Sequence, residues 1–272
     1  MCRWLAYVGA PVEMAALVLR PKHSLVRQSL SAQHGVTPVN GDGFGVAWWG
    51  NRPEPGRYRD TLPAWNDSNL RSLTEQIESR LFFAHVRAST GTETSRSNCH
   101  PFTYDRMAFM HNGQIGGWGQ IRRAVEALIP DHLYAQRQGT TDTEALFLLA
   151  VANGMVEDPL GGLARAVGQV RGEMEAAQIT QPFRMTAAMS DGQRIVCARW
   201  SSDHQSPSLY SAESSSINSF TGNDLGLEHA WLILSEPLDE EGDGWSPVAE
   251  GSALIVSSDS AVCLPFAPEM PR

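Results

Sequence analysis

The chain opens Met1-Cys2-Arg3-Trp4-Leu5-Ala6-Tyr7-Val8-Gly9, and its second residue organises the reading of everything that follows. Aminopeptidases remove an initiator methionine that precedes a small residue, so the processed chain begins at a cysteine with a free α-amine. An α-amine titrates near ~7.7–8.0 and a thiol near ~8.5, which lets the amine take the thiol proton at neutral pH, directly or through one water. Nucleophile and base then sit on one residue, a known variant of nucleophilic catalysis. A cysteine is also an ordinary second residue of a strand, and Arg3 to Val8 reads as a short buried strand. The rest of the chain has to decide between the two.

Composition narrows the field. With 272 residues, 42% hydrophobic and 19% charged, the chain has the make-up of a globular protein that buries a full core. A net charge of -9 argues against nucleic acid or an anionic membrane as partner, since phosphate binding needs a concentrated basic patch and Arg122-Arg123 is too short to be one. Cys2, Cys99, Cys197 and Cys263 lie far apart, in the pattern of neither a zinc site nor a disulfide-dense secreted domain. No apolar run approaches the ~20 residues of a membrane span, and Arg3 interrupts any signal peptide at once. These features predict a cytoplasmic protein.

Along the chain, Val12 to Leu19 and Ser24 to Ser31 read as short helices parted by Pro21. Asn40-Gly41-Asp42-Gly43-Phe44-Gly45 leads into a strand at Val46 to Trp49, not the helix a phosphate loop needs, so its glycines are expected to let backbone segments run close together. Asn51 to Pro63 predicts a loop or hairpin. Asp67 or Ser68 caps a helix carrying Leu70, Leu73 and Ile77 on one face. Leu81 to Arg87 and Met107 to His111 read as strands, with the polar loop Ala88 to Pro101 between them as the natural place for a ligand site. Three helices follow, around Trp118 to Leu128, Thr141 to Ala152 and Leu160 to Met174. The period then changes to two: Phe183 to Ser190, the turn Asp191-Gly192 and Arg194 to Trp200 form a hairpin. Ser201 to Asp224 carries little structural signal, and strands at Trp231 to Ser235, Ala253 to Ser257 and Ala261 to Leu264 close the chain. Strands and helices in blocks, without βαβ regularity, predict an α+β fold of antiparallel sheets with helices on the outer faces, with no linker that splits residues 1–272.

Four stretches bear on Cys2. Arg87, in His85-Val86-Arg87-Ala88-Ser89-Thr90, offers two parallel hydrogen bonds to a carboxylate, and Thr90 a third; the bland alternative is a surface salt bridge. In Asn98-Cys99-His100-Pro101, His100 suits packing or substrate contact better than metal binding. His111-Asn112-Gly113 is a turn signal, but the Asn112 amide and the Gly113 N–H aimed at one point also make an oxyanion hole. Thr141-Asp142-Thr143-Glu144 is a capping box, in which Asp142 could also bind an ammonium. Each bland reading is the stronger one alone. Together, Arg87 for a carboxylate, Asp142 for an ammonium, Asn112 with Gly113 for a developing oxyanion and Cys2 for attack describe a γ-glutamyl amide held by its amino-acid end.

These motifs, in this order, together with Asp42-Gly43-Phe44-Gly45, resemble those of the class II glutamine amidotransferases, which are N-terminal nucleophile hydrolases. Leu234-Ser235-Glu236-Pro237-Leu238 and Trp245 resemble the short stand-alone branch, which includes YafJ-like proteins and the ergothioneine-pathway γ-glutamyl hydrolase. The resemblance implies a single amidotransferase domain over residues 1–272, folded as a four-layer αββα sandwich of two antiparallel sheets. It implies Cys2 as nucleophile with its α-amine as base, Asn112 and Gly113 as oxyanion hole, Arg87 and Asp142 as holders of the substrate's α-carboxylate and α-amine, and Thr90 and His100 as pocket lining. It implies a small-molecule substrate, glutamine or a larger γ-glutamyl conjugate, with no metal and no organic cofactor. The family's two-domain synthases consume the released ammonia themselves; here an acceptor would be a separate partner, since the chain has no length left for that domain. Ala88 departs from members with a bulky aromatic after the arginine, which changes the expected pocket lid. The rival reading is a non-catalytic glutamine-binding subunit or sensor, the outcome if Met1 is retained.

Overall fold

The computed structural model describes residues 2–33, 38–89, 91–221, 225–239 and 244–270. In its first half run β1 (Arg3–Glu13), α1 (Ala15–Val18), α2 (Leu25–Leu30), β2 (Phe44–Trp48), β3 (Gly56–Asp60), α3 (Ser68–Gln76), β4 (Glu78–Val86), β5 (Phe102–Tyr104) and β6 (Met107–Gln114). The helices α4 (Trp118–Ala127), α5 (Asp131–Tyr134), α6 (Asp142–Ala152) and α7 (Pro159–Ala176) follow, then the hairpin β7 (Arg184–Ser190) and β8 (Ile195–Ser201). The chain finishes with β9 (Tyr210–Glu213), α8 (Ser214–Phe220), β10 (Trp231–Leu234), β11 (Ser246–Pro247), β12 (Ser252–Ser257) and β13 (Ser260–Pro265).

Two antiparallel sheets form, with strand orders β11-β9-β10-β1-β4-β2-β3 and β13-β12-β8-β7-β6-β5. Period-two alternation divides each central strand between two cores. In β1, Leu5 and Tyr7 face outward, where they pack with residues of α1, α2, α3 and α8 such as Leu17, Leu25, Leu70 and Ile217. Trp4, Ala6 and Val8 face inward and meet Ala108 and Met110 of β6, Ala188 of β7 and Val256 of β12. The outer face of the second sheet carries Phe109, Met185 and Ala187 into a core with α4 to α7. The layers are therefore helix, sheet, sheet, helix. Because α6 lies between β6 and α7, its residues from Thr143 to Val151 are buried all round, and its sequence lacks a polar stripe. Among the described residues no helix is long and apolar enough to cross a membrane.

Several boundaries differ from the sequence expectation. The first strand runs on to Glu13 because Val12 and Glu13 resume pairing with Ser79 and Glu78 after a register shift, which shortens the expected Val12 to Leu19 helix to Ala15–Val18. The loop at Asn51 to Pro63 contains β3, paired with β2 as a hairpin. The strand at Met107 does not stop at His111: pairing with β7 continues through Asn112, Gly113 and Gln114. The weakly patterned stretch from Ser201 contains β9 and α8, whose order comes from packing on β10 rather than from local propensity; residues 222–224 at its end lie outside the described residues.

The close approach expected of the glycine-rich stretch is realised at Gly45. A Cβ there would stand 2.2 Å from the His100 carbonyl oxygen, so only glycine lets β2 run against the loop that delivers His100.

Candidate active site

The pairing register assembles the site. Arg3 of β1 stands opposite Val86 of β4, so the residue before β1 meets the residues just beyond β4. Cys2 is half-buried there, and its Sγ–H donates to the Ala88 carbonyl at 3.6 Å. Burial pushes the Cys2 thiol above its ordinary value; the Ala88 hydrogen bond and the positive charges of Arg87 and Arg3 pull the other way.

Arg87 is no surface salt bridge. It is 3% exposed, and its guanidinium donates to the Asp42 carbonyl at 3.2 Å, Ser89 Oγ at 3.3 Å, Thr92 Oγ1 at 2.7 Å and the Glu93 carbonyl at 3.2 Å. The Asp42 carboxylate accepts the Ser89 N–H at 2.7 Å, so Asp42 on one side and Ser89, Thr92 and Glu93 on the other hold the guanidinium.

Asp142 is the first residue of α6, whose N-cap is Thr141: the Thr141 Oγ1 accepts from the Glu144 N–H at 3.1 Å. Only this half of the capping box forms. The Glu144 carboxylate instead accepts from the Gln138 and Gly139 N–H groups, at 2.9 and 2.7 Å, tying the preceding turn to the helix. Asp142 Oδ2 accepts the Ile115 N–H at 3.0 Å and Oδ1 the Thr143 N–H at 2.8 Å. The carboxylate thus joins the end of β6 to the start of α6.

Three buried histidines lie beneath. The His85 and His100 ring centroids lie 4.1 Å apart, with the ring planes tilted by 51°. His100 Nδ1 accepts the His111 N–H at 3.5 Å, and His111 Nδ1 is 2.9 Å from Thr143 Oγ1. Burial pushes His85 down to about 3, His100 well below its ordinary value, and His111 down as well, with the negative charge of Asp142 opposing the last. The folded chain holds these rings neutral, while the unfolded chain protonates them from about pH 6.5 downward. The contribution of these rings to stability is therefore expected to be constant above that pH and to be lost as pH falls from about 6.5 towards 3, with His85 alone accounting for on the order of 2 kcal/mol by about pH 5. Denaturant midpoints at about pH 7.5 and about pH 5 test this; equal midpoints would contradict neutral burial of the cluster.

Asn112 and Gly113 belong to β6 itself, not to a turn after it. Asn112 follows Ala108 and Met110 on the face directed between the sheets, is 1% exposed, and neither atom of its amide has a hydrogen-bond partner. An orphan buried amide costs about 1–3 kcal/mol, so the fold carries it at a loss. Gly113 has φ +147°, and a Cβ on it would stand 1.9 Å from the Arg184 carbonyl oxygen.

One cavity of about 260 Å³ is lined by Cys2, Arg87, His100, Gly113 and Asp142, with Trp118, Gln114 and Gln181 among its other walls. Five of the seven residues singled out in the sequence thus share one space. Asn112 is the neighbour of a wall residue, not a wall itself, and Thr90 lies outside the described residues. Sequence reasoning passed over Asp42, His111 and Ile115. The first two stood inside quoted motifs, but the Ile115 N–H had no side-chain signal at all. Cys99 does not join Cys2 in the cavity; its Sγ–H is directed to the carbonyls of Asp60 and Ser95. Among the described residues no group of three or more His, Cys, Asp and Glu side chains is placed to hold a metal ion.

Comparison with known proteins agrees with this architecture. The model of the glutamine amidotransferases class-II family matches residues 16–210. The probable glutamine amidotransferase DUG3 of Saccharomyces cerevisiae is 32% identical over 99% of this chain and 85% of its own. The gamma-glutamyl-hercynylcysteine sulfoxide hydrolase of Mycolicibacterium smegmatis is 25% identical over 98% of this chain and all of its own. Among solved structures, a glutamine aminotransferase class-II domain protein from Silicibacter pomeroyi superposes with a TM-score of 0.76 at 37% identity, covering 98% of this chain and 100% of that one.

Proposed function

The chain belongs to the class II glutamine amidotransferases, and from that premise we propose that it hydrolyses a γ-glutamyl amide through a thioester on Cys2, residues 1–272 acting as one amidotransferase domain. The observation that carries the reading is the shared cavity of Cys2, Arg87, Gly113 and Asp142, residues drawn from four separate segments. Arg87 takes the substrate's α-carboxylate and Asp142 its α-ammonium, which leaves the γ-carbonyl facing the thiol.

Because burial keeps the Cys2 thiol protonated, its proton has to leave at the moment of attack. With Met1 removed, the α-amine accepts it while Sγ bonds to the γ-carbon. The carbonyl oxygen becomes an oxyanion, for which the Asn112 amide and the Gly113 N–H are the candidate donors. The carbon–nitrogen bond then breaks, and the α-ammonium returns its proton to the leaving nitrogen. Water, deprotonated by the same amine, attacks the thioester; the sulfur–carbon bond breaks and the thiol recovers its proton. The orphan amide of Asn112 supports this role, since a donor kept free in the ground state is available when charge develops.

Glutamine is the default substrate, with ammonia as product. A larger γ-glutamyl conjugate is the second reading, supported by the cavity of about 260 Å³, walled in part by Trp118 and the exposed Gln181, and by the mycobacterial relative named for such a conjugate.

The test is the intact mass of the purified protein before and after incubation with a diazo-ketone analogue of glutamine, with Cys2→Ala as control. The expected result is a chain lacking Met1 that gains a single adduct, absent from the variant. A chain that retains Met1 and gains no adduct would sink the hydrolase and favour a glutamine-binding subunit or sensor.

A further inference from the structure

Behind the proposed nucleophile lies a buried charge network that the reaction itself does not use. Arg3 and Glu236 have side chains 1% exposed, and Arg3 Nε donates to Glu236 Oε2 at 2.9 Å. Arg3 Nη1 donates to the carbonyl oxygen of Cys2 at 2.9 Å. The second carboxylate oxygen of Glu236 accepts from His23 Nε2 at 2.6 Å and from the Gln33 N–H at 2.7 Å. Gln28 Nε2 donates to the Glu236 and Pro237 carbonyls, and Ser235 brackets Trp4, taking its N–H on Oγ at 3.2 Å and giving an N–H to its carbonyl at 3.0 Å.

Stability is a poor reason for this arrangement. Taking two charges out of water costs as much as their attraction returns, and apolar residues of the same volume often serve equally well. Geometry is a better one. Once Met1 is gone, no preceding residue fixes Cys2, so its α-amine and thiol are positioned only through its own backbone and the Ala88 contact. Its carbonyl is where a restraint can be applied, and Arg3 applies it. A nucleophile or base displaced by 1 Å loses on the order of 10² in rate.

The geometry points to Glu236 as a positioning residue for the nucleophile: through Arg3 it fixes the Cys2 carbonyl, and with it the relation of the α-amine and thiol to the substrate, while His23 and the Gln33 N–H hold the carboxylate in place. This inference rests on Cys2 being the nucleophile, as proposed above.

The experiment uses the full chain with Met1 removal confirmed by mass, and the diazo-ketone glutamine analogue as probe. Glu236→Gln keeps the size and one acceptor oxygen; Arg3→Lys keeps a charge facing Glu236 but lacks the guanidinium N–H that reaches the Cys2 carbonyl. In both, the maximal inactivation rate is expected to fall about 10–10²-fold, with the half-saturating concentration within about twofold of the parent. The pH midpoint for alkylation of Cys2 by a small neutral electrophile is expected to move as well, because the amine no longer holds the same relation to the thiol. A network that is merely structural would lower the melting temperature and leave rate and midpoint unchanged in the folded protein, which would overturn the inference; so would a loss confined to the half-saturating concentration. Should Glu236→Gln fail to fold, Arg3→Lys decides alone. If the parent chain forms no adduct at Cys2, the nucleophile reading itself has failed and this inference falls with it, whereas a reactive parent with equally reactive variants removes the positioning role only.

Discussion

Cys2→Ala is expected to abolish turnover of the γ-glutamyl amide, lowering kcat by about 10⁴–10⁶-fold, the range seen when a covalent nucleophile is removed and only binding and oxyanion stabilisation remain. Glutamine binding should survive within a few-fold, because Arg87 and Asp142 are held by partners that do not include the sulfur: Asp42, Ser89, Thr92 and Glu93 for one, Ile115 and Thr143 for the other. Stability should change little too. Cys2 is half-buried ahead of the first strand, and the sulfur that the substitution removes makes only a weak thiol contact to the Ala88 carbonyl. Steady-state kinetics together with calorimetric titration of glutamine separate the two effects. A variant that still turns substrate over within tenfold of the parent would remove Cys2 from the chemistry, and one that neither binds nor folds would show that the residue is structural.

The second large effect concerns Asn112, and it has opposite signs in rate and stability. Asn112→Leu replaces a buried, unpartnered amide by an apolar group of nearly the same shape. The surroundings are the inter-sheet core that holds Trp4, Ala108 and Met110. Removing an unsatisfied amide is expected to stabilise the fold by about 1–2 kcal/mol, read as a higher denaturant midpoint with an unchanged slope. The same substitution removes the proposed oxyanion donor and is expected to lower kcat by about 10²–10³, with KM little changed. A protein made more stable and less active by one substitution is the mark of a group retained for function. Loss of stability with full activity would mean the amide finds partners in solution and serves the core instead.

Much of the architecture was legible because its signals are local. The hairpin around Asp191-Gly192 announced itself by alternation and a turn, and the strands pair from Arg184↔Ser201 to Ser190↔Ile195. Asp67 and Thr141 cap their helices through contacts three residues away. The glycine spacing before Trp48 foretold a close approach, which Gly45 makes against His100. Antiparallel sheets with helices on their outer faces followed from strands and helices arriving in blocks, and the four-layer order from the resemblance to the family. What went astray depended on neighbours far along the chain. Val12 and Glu13 look helical until β4 lies beside them. Tyr210–Glu213 and Ser214–Phe220, in a serine-rich stretch with little propensity of its own, take their order from β10.

For the site, the sequence by itself determined the chemistry on offer: a thiol placed to become terminal, an arginine after a strand, an Asn-Gly pair, an aspartate in the first turn of a helix. Their types and order were enough to place the chain among the class II amidotransferases and to put forward a γ-glutamyl amide as the ligand. Only the tertiary structure decided that Cys2, Arg87, Gly113 and Asp142 share a cavity, because strand register sets Cys2 beside Ala88 while the Asp142 carboxylate ties β6 to α6. It also decided that Asn112 is a strand residue with an orphan amide, and that Glu236, near the other end of the chain, reaches the Cys2 carbonyl through Arg3. Caps, turns and alternation act within a few residues of their cause and can be read in one dimension. Which buried polar groups find partners depends on packing between the sheets, and that exists only once the chain has closed on itself.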